Sequence, residues 1–340
     1  VAVTGVQTCA LPISLGELRD LAPDAGDALR DADWDITPDG TTVVTGWGRQ
    51  ETLTRPAMDL VAIERATGAR RTLATIDGWH AGVTISPDGR SVAAIRVHAG
   101  APDRADRPEV VVVELATGAT RVVGDALAGG WPHAIAWMPG GDALAVTADL
   151  AGHVAVLAIP IAGGPAAVIA ADGAWSDLSV GPDGSIAGLH ATIAAPPRPA
   201  LLRGGSAGHL AFPGLDPDAI AVPGIVERLH ATAVDGTPVA SWLVRPADAS
   251  PERPAPLVTF IHGGPLGSWN TWHWRWNPHL LAERGYAVLL PDPAISTGYG
   301  QAYIDRGWGR WGEAPYTDLL AAVDGALERP DLDQIGRAYV

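Results

Sequence analysis

"LVTFIHGGPLG", residues 257–267, is a short apolar run that stops at His262, Gly263, Gly264 and Pro265. A continuous run of this kind fits a strand buried on both faces of a sheet. Glycines without Cβ let backbone N–H groups approach a small anion, and the loop after a strand releases those groups from the ladder. An oxyanion developing in acyl transfer needs that arrangement. A plain strand-to-loop turn closed by Pro265 accounts for the same residues.

Upstream, "VERLHATAVDGTPVASWLVRP" (226–246) holds two alternating strands joined at Asp235-Gly236, a hairpin signal, followed by the polar, proline-rich loop "ADASPERPAP" (247–256). Downstream, "NPHLLAERG" (277–285) predicts a helix stopping at Gly285, and "YAVLLPD" (286–292) a second buried strand. "PYTDLLAAVDGALERP" (315–330) predicts a helix with Leu319, Leu320, Val323 and Leu327 on one stripe, and "IGRAYV" (335–340) a further strand. Alternating strands and helices mean an open α/β sheet with parallel crossovers, whose ligands meet the carboxyl ends of the strands. Asp318 and Asp324 read as solvated helix charges, and Asp292 as a strand-end residue.

The first two thirds of the chain are periodic. "TPDG" (37–40), "SPDG" (86–89), "MPGG" (138–141) and "GPDG" (181–184) each precede a β-prone run. "VAIERATGARRTL" (61–73) and "VVELATGATRVV" (112–123) add a second turn to the unit, and "VLAIPIAGGPAAVI" (156–169) is a looser copy. Two hairpins in roughly 40–50 residues make four strands, the arithmetic of a propeller blade. The expectation is a partial β-propeller of about four blades, against unrelated hairpins or a sandwich. Trp34, Trp79, Trp137 and Trp175 precede the turns and read as core between blades rather than as a ligand channel.

The chain has 340 residues and a net charge of -15, and all 23 of its basic residues are arginine. With no basic stripe, a nucleic-acid or anionic-membrane partner is not expected, and no apolar run reaches the roughly 18 residues of a membrane span. Cys9 is the only cysteine, and the ten histidines show no ligand spacing. With no phosphate loop, paired-Cys motif or HExxH, no nucleotide or metal cofactor is implied. "VTGVQTCALPI" (3–13) reads as the translation of a sequencing adapter, so residues 1–14 are expected to be an artefact. A signal-peptide core is the rival, but no basic segment precedes it.

"FIHGGPLGSW", "WRWNPHLLAERGYAVLLPDP", "STGYGQAY" and "WGEAPYTDLLAAVDGAL", in that order, resemble the catalytic domain of the prolyl oligopeptidase family of serine peptidases. The likeness is to its dipeptidyl aminopeptidase and acylaminoacyl-peptidase branch, in which a propeller precedes the hydrolase domain. It implies a partial propeller over residues 15–222 and the N-terminal half of an α/β-hydrolase domain over 223–340. The implied substrates are short peptides or acyl-peptides, admitted past the propeller. By position, His262, Gly263 and Gly264 match the oxyanion-side motif, with the Gly264 N–H as donor. Trp269, Trp272 and Tyr299 are candidate pocket walls, packing being the other reading of the tryptophans.

No Gly-x-Ser-x-Gly passing from a strand into a helix occurs in the 340 residues, and the order in this fold is Ser, then Asp or Glu, then His. The resemblance therefore implies a triad beyond Val340, an inactive chain, and no catalytic base among the histidines present. An ester hydrolase on the same scaffold, or a non-catalytic propeller with a degenerate hydrolase domain, are the alternatives. The chain departs from the family at Ala294 and Ile295, where Arg-Gly is usual.

Overall fold

The computed structural model describes residues 19–49, 57–124, 126–211 and 221–339, so the adapter-like stretch at 1–14 and Cys9 lie outside the described residues. The described chain begins with four antiparallel meanders of four strands each. The first is β1 (Trp34–Ile36), β2 (Thr42–Arg49), β3 (Ala57–Glu64) and β4 (Arg70–Ile76). The second is β5 (Gly78–Ile85), β6 (Ser91–His98), β7 (Arg107–Glu114) and β8 (Thr120–Val123). The third is β9 (Trp131–Trp137), β10 (Ala143–Leu150), β11 (His153–Pro160) and β12 (Ala167–Ala170). The fourth is β13 (Ala174–Val180), β14 (Ile186–Thr192), β15 (Ala195–Arg203) and β16 (Ser206–His209). One parallel pairing, Val154 with Ala174, joins the third and fourth into a single sheet.

The turns follow from local chemistry. Thr37 donates its hydroxyl to the Asp39 carboxylate at 2.6 Å, and Ser86 does the same to Asp88 at 2.6 Å. These bonds hold both carboxyls below their usual range. Gly40 and Gly89 close the two turns at φ 69° and 72°, a region costly for any residue with a Cβ.

Strand alternation then builds the cores. Val92 and Ala94 of β6 pack with Val44 and Leu60 of the first meander, whereas Ala93, between them, packs with Leu144 and Val146 of the third. Ala145, between those two, packs with Trp175 and Ile186 of the fourth. The second and third meanders are thus apolar on both faces, and each shares a core with the meander on either side. Trp137 and Trp175 are buried in these layers as the repeat predicts, and Trp79 is half-buried. Trp34 departs from that expectation at 65% exposed, because β1 is a three-residue edge strand.

After residue 221 come β17 (Ile225–Thr232), β18 (Pro238–Arg245), β19 (Ala255–Thr259), α1 (His279–Ala282), β20 (Ala287–Asp292), α2 (Gln301–Asp305), α3 (Ala314–Leu327) and β21 (Leu332–Tyr339). Their sheet runs β17-β18-β20-β19-β21. The first two pairings are antiparallel, and those of β19 with β20 and β21 are parallel, as the alternation of strands and helices requires. α3 covers one face through Ala322, Val323, Ala326 and Leu327, while Leu319 and Leu320 are only half-buried. Trp269, Leu281 and Ala282 cover the other face.

Asp318 corrects the expectation of a solvated charge. It is fully buried, bonds Arg306 through both carboxylate oxygens at 2.5 and 2.8 Å, and accepts the Ala294 N–H at 2.8 Å. Arg306 also reaches Asp235 in the β17–β18 turn at 2.6 and 3.0 Å, so one guanidinium ties turn, helix and loop together. Asp324 is exposed.

Two stability predictions follow from these buried charges. Arg306→Ala leaves Asp318 buried and uncompensated, and should cost about 3–5 kcal/mol in denaturant unfolding. His80 is 2% exposed with neither ring nitrogen hydrogen-bonded among the described residues, and burial, aided by Arg96 and His98, pushes it down to about 4. Its folded value lies below its unfolded one, so the unfolded chain takes up the extra proton as pH falls from 6.5 toward 4. Stability should drop by about 3 kcal/mol across that window through this group, and His80→Leu should remove the drop. An unchanged pH slope in the variant contradicts the assignment.

Candidate active site

Strand β19 delivers the chain to His262, whose ring lies 2.8 Å from Ser296 Oγ through Nε2 and 3.2 Å from the Gly263 carbonyl through Nδ1. A carbonyl only accepts, so Nδ1 carries the proton and the Ser296 hydroxyl donates to Nε2. Burial pushes the imidazole below its usual value, favouring the neutral ring. His262 is therefore spent as a brace between two loops.

Gly263 and Gly264, one step on, are exposed, and their N–H groups make no hydrogen bond among the described residues. Gly264 sits at φ 135°, and a Cβ there would lie 2.6 Å from the Leu266 carbonyl oxygen. No other residue fits this backbone, which leaves an amide pair at the carboxyl end of a parallel strand.

Asp292, at the end of β20, organises the surroundings. Its carboxyl is fully buried, with Oδ1 accepting the Trp269 N–H at 2.8 Å and Oδ2 the Tyr299 hydroxyl at 2.6 Å. Tyr303 donates to the Asp292 carbonyl at 2.7 Å. Burial raises the carboxyl to about 7 against these donors. Burial also raises the Tyr299 phenol, whose oxygen accepts from Arg228 at 2.8 Å.

The meanders reach the same place. Asp149 of β10 lies 2.6 Å from His133 Nε2 and accepts from Asn270 Nδ2 at 2.7 Å and Thr297 Oγ1 at 2.5 Å. Ala151 donates its N–H to the Gly298 carbonyl at 2.9 Å, and Gly300 donates to Gly129 at 3.0 Å.

Beside the glycines opens a cavity of about 480 Å³ lined by Phe260, Ile261, His262, Gly263, Gly267, Ser268, Trp269, His273 and Trp276. No carboxylate, arginine or lysine lines it, and burial lowers both histidines. Of the aromatic residues singled out by sequence, Trp269 is in this wall. Trp272 instead stacks on His279 with centroids 5.4 Å apart, and Tyr299 lies in the Asp292 network. Ser296 and Asp292 fall in the resembling stretches without an assigned role, and Asp149 carried no motif, because their partners are distant in sequence.

One literal Gly-x-Ser-x-Gly string does occur, at residues 204–208, but it is the tight turn between β15 and β16, with Ser206 exposed on an edge strand. It enters no helix and so lacks the context of a nucleophile elbow.

Stacked meanders ahead of a mixed α/β sheet, with glycine amides at a strand end, define the fold of propeller-plus-hydrolase enzymes. Solved structures agree. The chain superposes on the acylaminoacyl peptidase of Pyrococcus horikoshii with a TM-score of 0.72 at 16% identity, covering 91% of this chain and 48% of that one. Against an acylaminoacyl peptidase in complex with Z-Gly-Gly-Phe-chloromethyl ketone the TM-score is 0.74 at 16% identity, with 91% and 48% covered. Residues 272–336 match the profile of the prolyl oligopeptidase family. Dipeptidyl-peptidase 5 of Trichophyton equinum is 32% identical over 269 residues, 74% of this chain and 35% of that protein. The chain belongs to the prolyl oligopeptidase family, and spans about a third of the length of the curated relatives it matches.

Ile295, one of the two residues at which the chain departs from the resemblance, holds φ 78°, a conformation disfavoured for a β-branched side chain. Strain of about 1–3 kcal/mol there opposes the roughly 1.5–3 kcal/mol gained by burying the side chain. Ile295→Gly should therefore leave the unfolding free energy within about 1 kcal/mol of the parent; a loss of several shows the strain to be absent. For Asp292, the folded value of about 7 lies above the unfolded 3.8, so stability should fall as pH rises between them. Asp292→Asn should flatten that limb in a pH series of thermal melts.

Proposed function

We propose that the chain is part of a serine peptidase that hydrolyses short peptides or acyl- and aminoacyl-peptides. In this reading residues 15–222 are about four blades of a propeller that gates access, and residues 223–340 are the N-terminal half of the α/β-hydrolase domain. The N–H groups of Gly263 and Gly264, exposed and without a hydrogen bond among the described residues, carry the proposal.

As a carbonyl carbon turns tetrahedral its oxygen gains negative charge, and a fixed N–H stabilises that charge more than it stabilises the neutral carbonyl. The Gly264 N–H is assigned as one donor, and the residue after the nucleophile as the second. The uncharged cavity beside the glycines suits an apolar substrate side chain, with Trp269 as a wall. Ser, Asp or Glu, and His of the triad are assigned beyond Val340. The peptide-like inhibitor of one structural neighbour and the peptidase names of the relatives support peptide substrates. The ester-hydrolase and non-catalytic readings gain no support from these likenesses.

The 340-residue chain should turn over neither acyl-peptide nor dipeptidyl chromogenic substrates, nor a simple ester; turnover of any of them overturns the placement of the nucleophile. In a polypeptide extended by about 200 residues, enough to complete a domain, Gly264→Ala keeps its N–H, but its Cβ would collide with the Leu266 carbonyl and displace that donor, so kcat should fall about 10²–10³-fold. An unchanged kcat removes Gly264 from the oxyanion site.

A further inference from the structure

We propose that Asp149 is a positioning residue for the oxyanion-side loop, a carboxylate supplied by the third meander that sets the two loops bracing His262. The inference rests on the reading of Gly263 and Gly264 given above, although its test does not require turnover.

Asp149 is 2% exposed and sits where β10 reaches the hydrolase unit. A buried carboxylate is tolerated only when donors surround it, and here two of its three partners, Asn270 and Thr297, come from the other unit. The partners occupy decisive places. Asn270 follows Trp269, whose N–H is held by Asp292. Thr297 follows Ser296, which bonds His262 Nε2, and the Thr297 N–H itself donates to the Gly267 carbonyl at 3.0 Å. One side chain therefore fixes the loop at 263–270 and the loop that holds it down.

The backbones meet as closely as atoms allow. A Cβ on Gly298 would lie 2.9 Å from the Asp149 carbonyl carbon and 3.0 Å from the Leu150 nitrogen. Any shift of the β10–β11 hairpin is thus transmitted to residues 296–298, and through Ser296 to the histidine beside Gly263.

The test reads the His262 ring in the full chain labelled with ¹⁵N-histidine, its signals identified by their loss in His262→Asn. The wild-type chain should show the Nδ1–H tautomer with a hydrogen-bonded, unprotonated Nε2. Thr297→Val, which removes one hydroxyl at nearly constant volume, and Asp149→Ala should both replace this with the averaged pattern of a solvated ring. Asp149→Asn, which can still pair with Thr297 and Asn270, should retain the wild-type pattern. His133→Ala, on the meander side, should also leave it unchanged.

If Thr297→Val is folded and its His262 pattern is that of the wild type, Asp149 is a docking contact only and the proposal fails. That variant decides the matter even where Asp149→Ala does not fold. An unchanged kcat in Gly264→Ala of the extended polypeptide would instead count against the oxyanion reading, leaving the coupling through Asp149 standing.

Discussion

A carboxyl group with no access to water sits at the end of β20, and the architecture around the glycine loop depends on how its two oxygens are satisfied. Asp292 takes one donor from the backbone after the HGGP turn and one from the phenol of Tyr299. Neither loop has regular structure, so without that acceptor each would have to satisfy its polar groups in solvent. Tyr299 passes the constraint to Arg228, and Arg228 to the Ala151 carbonyl of the third meander, so a single buried group links sheet, loops and meanders. Its raised affinity for a proton reflects the cost of holding charge there, and Arg228 lowers that cost.

Two buried titrating groups act in opposite directions. Charging Asp292 is penalised toward neutral pH, whereas charging His80 is penalised in acid. They lie in different units, Asp292 in the α/β sheet and His80 in the second meander, so the two units respond to pH from opposite sides. Asp318 is a contrasting case. It is equally buried, but Arg306 meets it through two nitrogens.

The repeat was legible because turns and alternation are local properties: a Ser or Thr, Pro, Asp and Gly in a row determine a turn whatever surrounds it. The parallel pairing of β19 with β20 and the glycine loop were legible for the same reason. Half of the predicted α3 stripe, Val323 and Leu327, lies in the core, but Ala322 and Ala326 complete it in place of Leu319 and Leu320, because the interface is tight enough to prefer alanine. Asp318 was misread as solvated because its partner, Arg306, lies outside its helix, and helical spacing says nothing of it. α2 was not expected, being five residues long and preceded by glycine. Asp149 carries no local signal, its hydrolase-side partners lying 121 and 148 residues away. Ala294 and Ile295 could be recognised as a departure in advance, and for Ile295 the structure supplies a meaning, a β-branched side chain in a conformation that favours glycine.

The contact between meanders and sheet has one more property. The bonds from Ala151 to Gly298 and from Gly300 to Gly129 join main chain to main chain, and Trp308 and Gln301 likewise reach carbonyls, at Ala101 and Asp106. Carbonyl and amide groups are common to nearly every residue, so point substitutions on the meander face leave most of this docking untouched. The seam can therefore tolerate extensive drift in its side chains, whereas Gly298, with no room for a Cβ, is a position where a single methyl group would force the two units apart.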